Sequence, residues 1–163
     1  MIFVLTGNGK GKTTSALGMG IRAAGAGQKV LMVQFLKTSA SSENKIIKRI
    51  ENFDIKTFGR RGFAPFGAKD ALLARKGLRF LEKEAEKYKM IIMDEINVAL
   101  KFNLISGKEV LSFLDAQDNN KHIILTGRSA SKDICDKADL ITEFKEVKHY
   151  FRRGVKAVKG IEY

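Results

Sequence analysis

Two hydrophobic periods alternate along this chain. Residues 2–5 (IFVL) are apolar without interruption, as expected of a strand covered on both faces. A glycine-rich stretch follows, and from about Lys12 the spacing predicts a helix that ends at Gly25 or Gly27. Residues 30–35 (VLMVQF) are a second apolar run, 37–44 (KTSASSEN) a polar loop, and 43–51 a short helix. A third strand is expected at 54–58 (DIKTF). Residues 59–67 (GRRGFAPFG) hold three glycines, the single proline and two aromatics, and read as loop.

Beyond this loop, Ala71, Ala74, Leu78, Leu81, Ala85 and Tyr88 recur at three and four residues and mark an amphipathic helix over 68–88. Residues 90–93 (MIIM) form a fourth strand that runs into Asp94 and Glu95. Residues 106–109 (SGKE) carry a capping-box pattern, which starts a helix reaching about Asp115. Residues 122–127 and 139–144 are two more strands with a short helix between them. From Lys145 onward little periodicity remains, and no element is assigned. Short apolar runs alternating with helical stretches predict an α/β fold, a mainly parallel sheet flanked by helices on both faces. With no internal repeat and no low-complexity linker, residues 1–163 are expected to form one domain.

Composition narrows the setting. No apolar run is long enough to span a bilayer, and the N-terminus lacks the basic region of a signal peptide. The single Cys135 excludes an internal disulfide and fits a reducing compartment, so a cytoplasmic location is expected. The net charge is +12, from 30 Lys and Arg against 18 acids. It is spread along the chain, concentrated only at 58–61 and 150–159, and accompanies no nucleic-acid recognition motif. A lysine-rich solvated surface is the reading, with neither nucleic acid nor membrane as partner.

Three stretches carry chemistry. Residues 6–14 (TGNGKGKTT) approach the phosphate-loop pattern G-x-x-x-x-G-K-[ST], but Thr6 stands where the first glycine belongs, so the loop opening at Gly7 is one residue short. Glycines turn backbone N–H groups toward phosphate, and the following helix N-terminus adds partial positive charge. Lys12 would meet phosphate as a point charge, Thr13 would offer a hydroxyl to Mg²⁺, and Lys10 adds a second cation. The second stretch is the Asp94-Glu95 pair at the C-terminal end of a buried strand, where parallel sheets bind ligands. Asp94 fits the acid that holds Mg²⁺, and Glu95 a base or hydroxyl acceptor. The third is Arg128, in TGRS (126–129), at the end of another strand, suited to a phosphate oxygen. His122 and His149 stand in no ligand cluster, which argues against zinc. Cys135, flanked by acids, reads as a packed thiol. Phe63 and Phe66 lie in a loop too rich in glycine to need them for packing.

Taken with MDEINVAL (93–100), LTGRSA (125–130), ADLITEFKEVKH (138–149) and GVKAVKGIEY (154–163), the short loop resembles the P-loop type of ATP:corrinoid adenosyltransferases, also called cob(I)alamin adenosyltransferases. The resemblance runs over residues 2–163 and is thin over 38–89. It implies a RecA-like fold, a homodimer, and ATP and a reduced corrinoid of the cobalamin or cobyrinic acid a,c-diamide type as co-substrates. The 5′-deoxyadenosyl group would pass to Co(I) with release of triphosphate, a flavoprotein supplying the electrons. By the same resemblance Gly7, Asn8, Gly9, Lys10, Gly11, Lys12, Thr13 and Thr14 would bind ATP together with Glu95 and Arg128. Thr13 and Asp94 would hold Mg²⁺, and Lys12, Glu95 and Arg128 would serve the reaction. Phe63 would act against the corrinoid's lower axial ligand, with Phe66 beside it. Two departures stand out: Met1 is already at the first strand, where many members carry an N-terminal extension, and GFAP (62–65) replaces the family's G-F-T-W. A phosphohydrolase or kinase using the same loop and acid pair, and a nucleotide-gated binding module, are the competing readings.

Overall fold

A computed structural model of the chain describes residues 1–60 and 65–161; Phe63 lies outside them. Six strands, β1 (Ile2–Thr6), β2 (Val30–Phe35), β3 (Phe53–Phe58), β4 (Met90–Asp94), β5 (His122–Thr126) and β6 (Leu140–Glu143), form one sheet in the order β3-β2-β4-β5-β1-β6. Every pairing is parallel. The helices are α1 (Lys12–Gly25), α2 (Glu43–Ile47), α3 (Ala68–Glu84), α4 (Ile96–Lys101), α5 (Gly107–Asp115) and α6 (Lys132–Lys137).

The unbroken apolar runs are explained by what covers them. In β2, Leu31, Val33 and Phe35 face one core with Ala74, Leu78 and Leu81 of α3, while Val30 and Met32 face the other with Ala16, Ala23 and Ala24 of α1. Strands β4 and β5 divide in the same way, Ile91, Met93, Ile123 and Leu125 to the first face, Ile92 and Ile124 to the second. Helices α3 to α6 cover the first face, α1 and α2 the second. Each such fully buried aliphatic side chain contributes about 1.5–3 kcal/mol.

Helix α1 lies flat because its buried stripe is small: Ala16, Gly20, Ala23 and Ala24. A Cβ on Gly20 would stand 2.7 Å from the Phe53 ring and 3.0 Å from Ile92. A mid-helix glycine costs about 1 kcal/mol relative to alanine; here it permits the close approach. Lys12, in the first turn, sits on this same face, so the packing that seats α1 also turns the lysine inward.

Elements differ from the sequence expectation in four places. The helix expected at 43–51 ends at Ile47, and that expected at 68–88 ends at Glu84 and closes in a 3₁₀ turn over Ala85–Lys87. Helix α4 lacked an assignment; Glu95, with φ 62°, turns the chain out of β4 and starts it. In the tail, a 3₁₀ turn spans Tyr150–Arg153 and stops at Gly154, whose φ is 80°.

Candidate functional site

The C-terminal ends of β1, β2, β4 and β5 meet at a cavity of about 740 Å³. Residues 8–14 form one wall, with Lys37 and Glu43 beyond the end of β2, Glu95 after β4 and Arg128 after β5. Gly7 lies beneath the loop, its carbonyl accepting from the Lys12 ammonium at 2.8 Å. The Gly9 carbonyl takes a second bond from the same Nζ at 2.7 Å. Lys12 is thus buried and curled over its own loop, and burial lowers its pKa.

Strand β6 braces the loop from outside. Its parallel pairing with β1 carries the chain on to Phe144, whose carbonyl accepts from the Gly9 N–H at 2.6 Å. A Cβ on Gly9 would fall 2.8 Å from the backbone of Phe144 and Lys145. The tail continues over the loop: the Lys10 ammonium donates to the Ile161 carbonyl at 2.6 Å, and His149, Gly160 and Ile161 line the cavity.

Asp94 is completely buried at the centre of the polar side. Its Oδ1 accepts from the hydroxyls of Thr13 at 2.8 Å and Thr126 at 2.7 Å. Its Oδ2 accepts from Lys37 Nζ at 2.8 Å and Gln34 Nε2 at 3.1 Å. Strand β5 separates the loop strand β1 from the acid strand β4, and Thr126 on β5 fills that gap: it donates to Asp94 and accepts from the Glu95 N–H at 3.0 Å. Glu95 holds a left-handed backbone conformation, unusual for a non-glycine residue and costly by roughly 1–2 kcal/mol. Burial, then the adjacent Asp94 charge, push its carboxyl pKa above the ordinary value.

Residues expected from the sequence therefore converge: Asn8 through Thr14, Glu95 and Arg128 share one cavity, with Asp94 directly behind Thr13. Phe66 lines the cavity too, but it also packs. Its ring meets Phe102, after α4, at 4.9 Å, and it rests on the core. The expectation that this loop aromatic is free of packing is corrected; its partner comes from a helix the sequence did not reveal. Pro65 is held by Arg60, which donates to its carbonyl at 2.9 Å and pairs with the buried Asp70 at 2.9 Å.

Sequence reasoning missed Lys37, Gln34 and Glu43. Gln34 donates to Glu43 at 3.0 Å and accepts from Asn44 at 2.9 Å, completing a buried polar chain behind Asp94. The available signal was Gln34 itself, a polar residue inside an otherwise apolar strand, which must find partners. For Lys37, burial pulls the ammonium down, but Asp94 and Glu95 outweigh it and hold its pKa above the ordinary value. Among the described residues, no cluster of three or more His, Cys, Asp or Glu has metal-binding geometry, and no helix is long and apolar enough to cross a membrane.

A family model described as ATP:corrinoid adenosyltransferase BtuR/CobO/CobP matches residues 1–163. A corrinoid adenosyltransferase of Sinorhizobium sp is 35% identical over 178 residues, covering all of this chain and 80% of that protein. The Corrinoid adenosyltransferase CobA of Salmonella typhimurium is 35% identical over 172 residues, and the Escherichia coli K12 corrinoid adenosyltransferase 33% over 167; both alignments cover all of this chain and 85% of the relative. At the strand ends of its parallel α/β sheet the chain gathers a glycine-rich loop, a buried aspartate and an arginine, and over its full length it belongs to the ATP:corrinoid adenosyltransferases.

Proposed function

We propose that the cavity above β1, β4 and β5 binds ATP with its triphosphate on the short loop and its C5′ carbon open to the cobalt of a reduced corrinoid. The supporting observation is the charge pattern. Lys10, Lys12, Lys37 and Arg128 line the cavity against two acids, Glu43 and Glu95, while Asp94 is fully buried behind Thr13. Co(I) donates its electron pair to C5′, the C5′–O5′ bond breaks, and the triphosphate departs with that bonding pair. Cobalt is formally oxidised from Co(I) to Co(III). No proton moves at the reacting carbon, so the protein's contribution is positioning and neutralisation of the leaving group.

Lys12 would leave its loop carbonyls for a phosphate oxygen, Arg128 would take another, and Glu95 would accept from a ribose hydroxyl. Hard oxygen donors suit Mg²⁺, which takes one or two protein oxygens plus phosphates. Thr13 Oγ1 and Asp94 Oδ1, 2.8 Å apart, would hold it, and when bound it would spread the charge of the leaving triphosphate. A homodimer fits the exposed apolar residues of the edge strand β6, Leu140 and Ile141. The electrons that make Co(I) come from a separate reductant, a flavoprotein by family resemblance.

The competing reading is a phosphohydrolase with Glu95 as base. Phosphorus NMR of the protein with Mg²⁺, ATP and reduced corrinoid separates the two. Inorganic triphosphate in equal amount to adenosyl-corrinoid is expected; ADP and phosphate formed with or without corrinoid would overturn the proposal.

A further inference from the structure

Four side chains bond Asp94, and Lys37 is the charged one: Thr13, Thr126 and Gln34 are neutral. Lys37 stands two residues past the end of β2, the strand paired with β4, and its Nζ reaches both Asp94 Oδ2 at 2.8 Å and Thr13 Oγ1 at 3.1 Å. Those are the two side chains assigned above to Mg²⁺. Asp94 is fully enclosed, while the Lys37 side chain is 28% exposed and lines the cavity. The ammonium therefore stands between the cavity and the carboxylate. A divalent ion at this hydroxyl–carboxylate seat would stand against the ammonium, which already takes the Thr13 oxygen and the second carboxylate oxygen, Oδ2, and the two cations repel each other.

We propose that Lys37 is a tethered cation that fills the Thr13–Asp94 seat in the nucleotide-free protein and moves to the triphosphate when the divalent ion arrives. This rests on the Mg²⁺ reading of Thr13 and Asp94. Two physical points support it. A buried carboxylate without a cation is expensive, so the seat needs one at all times. Lysine, a compact charge on a flexible four-carbon stem, can hold the seat and then follow phosphate oxygens a few ångströms away, which the planar fork of arginine does less readily. Lys12 is not the placeholder, since its ammonium is bonded to Gly7 and Gly9 instead. The exchange couples metal entry to triphosphate, because a polyanion gives the displaced ammonium a partner of higher charge than Glu43 or Glu95, the other acids beside it.

Mn²⁺ binding to the whole protein, followed by electron paramagnetic resonance, tests this in wild type and Lys37→Gln. Without nucleotide, wild type should bind Mn²⁺ weakly and K37Q tighter by about tenfold or more, as removal of one like charge at contact range implies. With inorganic tripolyphosphate, both should bind Mn²⁺, and K37Q should hold Mg²⁺-tripolyphosphate about tenfold less tightly through loss of a charged clamp. K37Q binding free Mn²⁺ no tighter than wild type, while both bind it with tripolyphosphate, would overturn the Lys37 proposal and leave the metal site standing. Failure of wild type to bind Mn²⁺ even with tripolyphosphate would instead remove the metal reading, and the proposal with it. Should K37Q fail to fold, wild type with ¹³C-dimethylated lysines carries the test. Its Lys37 methyl signal, assigned by its absence in Lys37→Arg, should shift with Mg²⁺-tripolyphosphate and not with Mg²⁺ alone; a signal unmoved by both would overturn the proposal.

Discussion

Replacing Thr126 by valine preserves shape and removes one hydroxyl. That hydroxyl is fully buried, donates to Asp94 at 2.7 Å and accepts from the Glu95 N–H at 3.0 Å. Losing a hydrogen bond to a charged group costs about 1.5–3 kcal/mol, and stranding a buried N–H about 1–3 kcal/mol. The extra apolar group of valine returns part of this, so the net expectation is about 2–4 kcal/mol. For a chain of this size that lowers Tm by roughly 5–15 °C. Thr126→Ser is the control: it keeps the hydroxyl, loses one buried methyl, and should cost about 1 kcal/mol. Thermal and urea unfolding of the two variants give the comparison. Because Thr126 aligns both acids, T126V should also lower kcat for adenosyl transfer more than T126S does. A valine variant no less stable than the serine variant would refute the claim that this hydroxyl holds the two acids in place.

Two further outcomes are expected. Gly9→Ala places a Cβ 2.8 Å from the Phe144–Lys145 backbone, which cannot step aside as a side chain would; overpacking of this kind costs about 1–3 kcal/mol, and ATP affinity measured by calorimetry should fall with it. Normal stability and affinity would show that the crossing is loose. In the nucleotide-free protein, Glu95 has a folded pKa above its ordinary 4.5, so the unfolded chain ionises first as pH rises from there. Its contribution to stability therefore declines from pH 4.5 up to its folded pKa and then levels off. Urea unfolding across that range should show wild type losing ground to Glu95→Gln with rising pH; parallel profiles would refute the assignment.

What the sequence disclosed, and what it hid, follow from distance along the chain. The loop and α1 are contiguous, and glycines beside Lys-Thr after an apolar run have few other uses. Asp94-Glu95 at a strand end was visible for the same reason, and Arg128 by its place after β5. Lys37 was not visible, because its meaning lies in an aspartate 57 residues away and depends on β2 pairing with β4. Helix α4 was hidden by a backbone turn at Glu95 that propensity does not favour, and with it went the Phe66–Phe102 contact. The tail looked featureless since its order comes from β6 pairing with β1, which lays His149 and Ile161 over a loop more than 130 residues earlier.

Gly20 sets a dimension of the site from a distance. It lies seven residues along α1 from Thr13, about 10 Å at helical rise, on the stripe that rests on Phe53 and Ile92. Helix α1 is a rigid beam, Gly20 its bearing, and the 2.8 Å contact between Thr13 and Asp94 the clearance at its far end. A shim of one methyl group at the bearing tips the beam, and the clearance changes with no atom of the site altered. The gap between β1 and β4 is fixed by the intervening β5 at two strand spacings, near 10 Å, and admits no fine adjustment. Side-chain size under α1 is therefore the finer control over how closely Thr13 meets Asp94.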